Sequence, residues 1–361
     1  MKNFRLIFAL LISMTILTAC AVGQSSEPVR ETRFLLNTVC TITIFELAEQ
    51  SGSNRNNDNT ITKRELINRS FDLISEYEAL FSMTTPGSDV WRINQAAGDE
   101  VSVSPHTISI IKQGLYYAYL SDGMFDITIG QLSSLWKSTD NLSEIEAQIY
   151  DAIETVDFRL IEICEEASTI RLENPNTWLD LGGIAKGYIA DRVSEFLIEQ
   201  GVTSAIIDLG GDIITIGTRP PAPSAEAGVA AQNWRIAVRQ PFSTSEYTDN
   251  GSSNSEFFGI INIGTASIVT SGIYERYFKA DGVIYHHIID PFTGFPANTD
   301  VVSATVIAQT ALTGDVLSSM IVLVGSEKAE HLLNQAPDFI GALLILNNGD
   351  YIIIGEVDFK R

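Results

Sequence analysis

Four short stretches concentrate side chains that can do chemistry. The first runs Leu179-Asp180-Leu181-Gly182-Gly183-Ile184-Ala185-Lys186-Gly187. Its pattern is a strand, a tight glycine turn and the opening turn of a helix. Backbone N–H groups left free at a helix start favour an anionic ligand. Lys186 stands where the macrodipole is already positive, so a bound phosphate or a carboxylate partner would relieve it. The spacing is not that of a P-loop, because GxxxxGK[ST] is absent. A second Asp-Leu-Gly-Gly at Asp208 to Gly211 shows that such turns also arise without an evident ligand.

The second stretch, Tyr285-His286-His287-Ile288-Ile289-Asp290-Pro291, holds two of the four histidines at one strand end. Adjacent strand residues face opposite ways, so one meets the core or a site and the other turns away. That suits acid–base work better than chelation of one ion by both. In the third, Thr313-Gly314-Asp315-Val316-Leu317-Ser318-Ser319, a helix would set Asp315 and Ser319 one turn apart on one face. A carboxylate and a hydroxyl so placed suit Mg²⁺, which takes one or two carboxylates plus phosphate and water oxygens. Asp315 would equally serve as an acid complementing a helix N-terminus. The fourth is Asp122-Gly123-Met124-Phe125-Asp126-Ile127-Thr128. There Asp126 and Thr128 share a strand face, or form a polar cap on a helix-to-strand turn.

These residues need a frame. Residues 34–45, rich in β-branched side chains, predict a strand, and 49–60 a polar loop. Apolar residues at helical spacing, from Leu66 and Ile67 through Phe71 and Ile74 to Leu80, predict an amphipathic helix over 61–81. Further helices are expected over 105–120, 142–153, 185–200, 314–324 and 328–334. Strands are expected over 161–163, 169–172, 178–181, 204–208, 213–216, 234–238, 258–263, 284–289, 303–308, 342–346 and 351–354. The Pro-, Ser- and Asn-rich stretches 219–232 and 243–256 are expected as surface loops. The mixture indicates an α+β domain with substantial antiparallel sheet, not a regular βαβ array.

The chain has 361 residues, 45 % of them apolar, and 23 Lys plus Arg against 45 Asp plus Glu, a net charge of -22. Such an acidic chain disfavours nucleic acid, and an anionic substrate would need a local cation. Lys2 and Arg5, the apolar run from Leu6 to Leu17, and Leu17-Thr18-Ala19-Cys20 have the order of a bacterial lipoprotein signal. Residues 1–19 are therefore expected to be removed, with lipid on Cys20 anchoring an extracytoplasmic protein to the membrane. Residues 20–31 would be a polar tether and 32–361 the domain. Cys40 and Cys164 are expected as buried free thiols, although a disulfide is permitted outside the cytoplasm.

Taken in order, Phe81-Ser82, Ser88-Asp89, Asn94, Gly123 to Thr128, Asp180 to Gly187, Thr270-Ser271-Gly272, His287 to Pro291 and Asp315 resemble the ApbE family of FAD:protein FMN transferases. The likeness spans about residues 34–354. It implies a single large two-lobed, T-fold-like α+β domain with an antiparallel sheet and flanking helices. It also implies Mg²⁺-dependent transfer of FMN from FAD to a Ser or Thr hydroxyl of an acceptor flavoprotein, releasing AMP. Some relatives hydrolyse FAD instead, and a non-catalytic lipid-anchored flavin binder is the rival from another class. By position, the resemblance assigns FAD contacts to Leu36, Thr84, Met124, Phe125, Asp126, Asp180, Lys186 and Ile289. It assigns Mg²⁺ to Gly183, Asp315 and Ser319, and the base to His287. The acceptor would be a membrane redox subunit carrying a Thr-containing flavinylation motif. This chain departs from the family pattern in having Leu36-Asn37-Thr38 for Met-Gly-Thr, Thr84 for a common Tyr, and Ser319 for Thr.

Overall fold

The computed structural model describes residues 27–48, 61–138, 142–222, 229–242, 256–280 and 282–361. The expected signal segment, Cys20 and the loop 49–60 lie outside the described residues. An open antiparallel sheet is the backbone of the fold. Its strands are β1 (Val29–Leu35), β2 (Thr38–Leu47), β3 (Val202–Leu209), β4 (Asp212–Ile216), β5 (Ala266–Gly272), β6 (Val301–Ala308), β7 (Phe339–Leu346) and β8 (Tyr351–Gly355). Spatial order follows chain order from β1 to β8. The α+β expectation holds, and the sheet is not closed into a barrel.

The 34–45 stretch is not one strand. Leu36 and Asn37 both adopt positive φ, 54° and 55°, and turn the chain between β1 and β2 in the manner of a two-residue hairpin. Leu is a poor residue for that region of backbone space, so no turn signal was present to read. β1 also begins at Val29, inside the expected tether, so the ordered domain starts before residue 32.

Between β2 and β3 run α1 (Lys63–Phe81), α2 (Asp89–Gln95), α3 (Pro105–Leu120), α4 (Gly130–Ser138), α5 (Leu142–Ile153) and α6 (Ala185–Glu199). α1 starts at Lys63 because the Thr62 side chain accepts the Glu65 N–H. Its buried face, with Leu66, Ile67, Phe71 and Ile74, is the one the periodicity predicts. α7 (Ala311–Val324) and α8 (Ser326–Leu333) join β6 to β7. α7 starts three residues before the expected helix, because Thr310 caps it by accepting from Thr313 N–H.

β6 is buried along its whole length. On one side it belongs to the main core with α1, α6 and α7. On the other, Val302 and Ile307 pack under a small sheet formed by Trp234–Arg239, Phe257–Ile263 and Asp358–Lys360. A strand covered on both faces shows no polar alternation. One predicted strand is lost and another is shortened. Residues 178–181 contribute only a bridge from Trp178 to Ile129, and the strand at Val283–His286 stops short of Ile289.

Candidate active site

The helix pair α6 and α7 builds the centre of the site. At Gly187 the two come so close that an added Cβ would lie 2.5 Å from the Ala311 carbonyl oxygen and 2.6 Å from Leu312 Cα. The Gly187 N–H donates to Asp315 Oδ2 at 3.0 Å. Lys186 Nζ, one residue earlier, reaches Asp315 Oδ1 at 3.3 Å and Asp212 Oδ2 at 2.6 Å. Both carboxylates are almost wholly buried. Burial and the neighbouring Asp315 charge push the Asp212 carboxyl well above the ordinary range, against the pull of Lys186. Burial works against the Lys186 charge too, but the two carboxylates outweigh it and hold its pKa above the ordinary value. The relief foreseen for Lys186 is therefore carboxylate, and part of the α6 N-terminus is spent on Asp315.

Ser319 lies one helical turn beyond Asp315, and its hydroxyl meets Ser271 Oγ at 3.0 Å. Ser271 also meets Ser318 Oγ at 2.8 Å. The end of β5 thus brings hydroxyls to the α7 face that carries Asp315. Two buried carboxylates share one ammonium here, which leaves an excess negative charge among oxygen donors. Such a set fits a hard divalent ion. Among the described residues, no three or more Asp, Glu, His or Cys side chains are placed together to hold a metal ion. A metal here would complete its shell with hydroxyl, backbone, water and phosphate oxygens.

The histidines divide as adjacent strand residues must. His286 is buried, its Nε2 donating to the Ala297 carbonyl at 2.9 Å while Nδ1 accepts from Ile288 N–H. His287 is solvent-exposed, and its Nδ1 lies 3.4 Å from the Arg276 carbonyl oxygen. A carbonyl can only accept, so that contact places the proton on Nδ1 and the free lone pair on Nε2. Crowding by protein, then the Arg276 guanidinium, lowers its pKa to about 4, with a smaller push from Lys186. His287 therefore stands neutral within the field of the Lys186 centre.

Asp180 anchors a second part of the site. Its Oδ1 accepts from Gly182 N–H at 2.8 Å, and Oδ2 pairs with Lys137 at 3.1 Å. Burial raises its pKa, but Lys137 and these hydrogen bonds prevail and hold it below the ordinary value. The residue before Lys137, Trp136, stacks on Tyr285 with centroids 5.7 Å apart. Tyr285 precedes the histidines, so α4 braces both Asp180 and the hairpin that presents His287.

Other predicted positions are placed less directly. Phe125 packs against Gly183, where an added Cβ would lie 3.2 Å from its ring, and Met124 packs on the main core. Asp126 and Thr128 are not on a strand face. Both carboxylate oxygens of Asp126 are engaged, Oδ1 by the Thr128 N–H and hydroxyl and Oδ2 by Phe158 N–H. It holds the turn, and burial raises its pKa despite those bonds. Leu36 lies at the hairpin turn, its N–H donating to Glu78 at 3.0 Å. Thr84 is exposed and bonds only to Ser82 among the described residues. Ile289 is buried with Leu132 and Ile149. Cys40 and Cys164 are both free; Cys40 is buried, but Cys164 is exposed, contrary to expectation.

Asp212, Lys137 and Arg276 were missed. The Asp208–Gly211 segment does form a simple turn, closed by Gly211 N–H to Asp208. The signal lay one residue on, where a charged residue opens an otherwise uncharged, β-branched strand, Asp212-Ile213-Ile214-Thr215-Ile216.

A family model described as the ApbE family matches residues 36–344. The chain is 34 % identical over 295 residues to an FAD:protein FMN transferase of Klebsiella pneumoniae, covering 80 % of this chain and 84 % of that one. A Treponema pallidum protein of the same name is 31 % identical, with 76 % and 75 % covered. The solved ApbE protein of Thermotoga maritima superposes with a TM-score of 0.73 at 28 % identity, over 91 % of this chain and 97 % of that one. The flavin transferase ApbE of Vibrio cholerae gives 0.73 at 26 %, over 91 % and 96 %.

Proposed function

This chain belongs to the ApbE family, and we propose that it is an FAD:protein FMN transferase that modifies a Ser or Thr hydroxyl of an acceptor protein and releases AMP. The observation that carries the reading is a neutral His287, its Nε2 lone pair free, within the field of the Lys186–Asp315 centre. In the reaction the acceptor oxygen attacks the phosphorus on the riboflavin side of the pyrophosphate. A new P–O bond forms there, the bond to the AMP phosphate breaks, and AMP departs with that electron pair. His287 Nε2 takes the acceptor proton. A group at about 4 is a weak base; the arriving pyrophosphate offsets the Arg276 and Lys186 charges, the smaller of the influences that lower it, and so strengthens it as a base.

Mg²⁺ would be held by Asp315 and Ser319 with the Gly183 carbonyl, and would stabilise charge on the transferring phosphoryl group. Lys186 adds a fixed positive charge beside the same oxygens. Asp180 and the turn at Met124 and Phe125 border the space where FAD would lie. We place the protein outside the cytoplasm, held by lipid on Cys20, where a membrane redox subunit is the natural acceptor; the support is the sequence of residues 1–20.

Incubation with FAD, Mg²⁺ and a Thr-containing acceptor tests this. Covalently fluorescent acceptor plus AMP is expected. Free FMN with unlabelled acceptor would make water the acceptor and the enzyme a pyrophosphatase, and unchanged FAD would leave only a binder.

A further inference from the structure

The Asp212 side chain has one hydrogen-bond partner among the described residues, the Lys186 ammonium at 2.6 Å. Lys186 also contacts Asp315, at the longer distance of 3.3 Å. Asp315 does not depend on Lys186 for its orientation, because Gly187 N–H fixes its other oxygen at 3.0 Å. The ammonium therefore bridges an acid that is anchored independently and an acid whose side chain, among the described residues, bonds to the lysine alone. Asp212 opens β4, paired to Val269 of β5 and Leu209 of β3, so its backbone is fixed by two neighbouring strands. Its side chain is 2 % exposed, against 24 % for Lys186.

We propose that Asp212 is a positioning residue that parks the Lys186 ammonium away from Asp315, so that a divalent cation can take the Asp315 carboxylate without competing with the lysine. Lys186 occupies part of the cation's coordination space at Asp315. A cation entering there repels the ammonium, which moves fully onto Asp212 and stays charged beside the substrate phosphates. With an amide at position 212, the lysine has Asp315 as its one remaining buried carboxylate and becomes the cation's rival. This inference rests on the metal reading of Asp315 given above.

The test is a double-mutant cycle read by binding of Mn²⁺ alone, followed by loss of the free-ion electron paramagnetic resonance signal. Thermal melts check that each variant is folded. In the Lys186 chain, Asp212→Asn is expected to weaken Mn²⁺ binding by about tenfold or more, the range of strongly coupled charged pairs. In a Lys186→Met background the same change is expected to cost clearly less. A purely electrostatic role, or direct ligation of the ion by Asp212, removes the same attraction in both backgrounds. Equal losses, or a larger loss without the lysine, would therefore overturn the proposal. Asp315→Ala separates the two readings. If it leaves Mn²⁺ binding unchanged, the metal reading of Asp315 fails and this inference falls with it; if it abolishes binding while the cycle shows no coupling, only the role of Asp212 fails.

Discussion

Replacing Gly187 by Ala adds one methyl group, and in an ordinary helix interior that change stabilises by about 1 kcal/mol. Here the sign should reverse. The new Cβ would stand 2.5 Å from the Ala311 oxygen and 2.6 Å from Leu312 Cα, both backbone atoms that no rotamer change can remove. Ordinary contact needs about 3.5 Å, so α6 and α7 must separate by close to an ångström. Overpacking of this kind costs roughly 1–3 kcal/mol, and immovable partners place it at the upper end. Net of the propensity gain, we expect about 2 kcal/mol of destabilisation, read as a lower denaturant midpoint with an unchanged slope. The same displacement carries Asp315 away from Lys186 and the Gly187 N–H. A misplacement near 1 Å can cost about 10²-fold in rate, so labelling of acceptor should fall by that order in folded protein. A variant as stable and active as the parent would refute the claim that contact at Gly187 sets the site geometry.

Other outcomes follow from individual side chains. His287→Ala should bind FAD with near-parental affinity while labelling drops by roughly 10²–10⁴-fold, the usual contribution of a general base; unchanged labelling removes His287 from the reaction. Because its free-protein pKa lies near 4, FAD-subsaturated activity should not show a loss of base near pH 6.5 as the pH is lowered. Asp191 accepts from the N–H groups of Ala311 and Leu312 at 2.7 and 2.9 Å, yet burial raises its pKa to about 6. Its folded pKa exceeds the unfolded value, so the unfolded chain binds fewer protons between about pH 4 and 6, and this group's contribution to stability falls as pH rises through that window. Asp191→Asn should remove that slope in denaturation midpoints measured from pH 4 to 7, and an unaltered slope would show that Asp191 titrates normally.

Much of this protein is local, and the local part was legible. A helix places residues four apart on one face, so Asp315 and Ser319 had to align once α7 formed. A strand turns neighbours to opposite sides, so His286 and His287 had to divide between structure and solvent. The apolar spacing from Leu66 onward defined α1, while its cap at Thr62 came only with the structure. Turns closed by unusual residues were less legible: Leu36-Asn37 lacks the glycine or Asn-Gly signal, and Asp126 makes its turn through hydrogen bonds from Thr128 and from Phe158, 32 residues away. Only the tertiary structure decided the rest. Lys186 meets Asp212 and Asp315 across 26 and 129 residues of chain, a meeting set by the register of β3, β4 and β5 and by the depth to which α6 sinks against α7 at Gly187. Periodicity reports only which way a side chain faces relative to its near neighbours. Which buried charges converge depends on how separate elements pack, and that information is spread over the whole core.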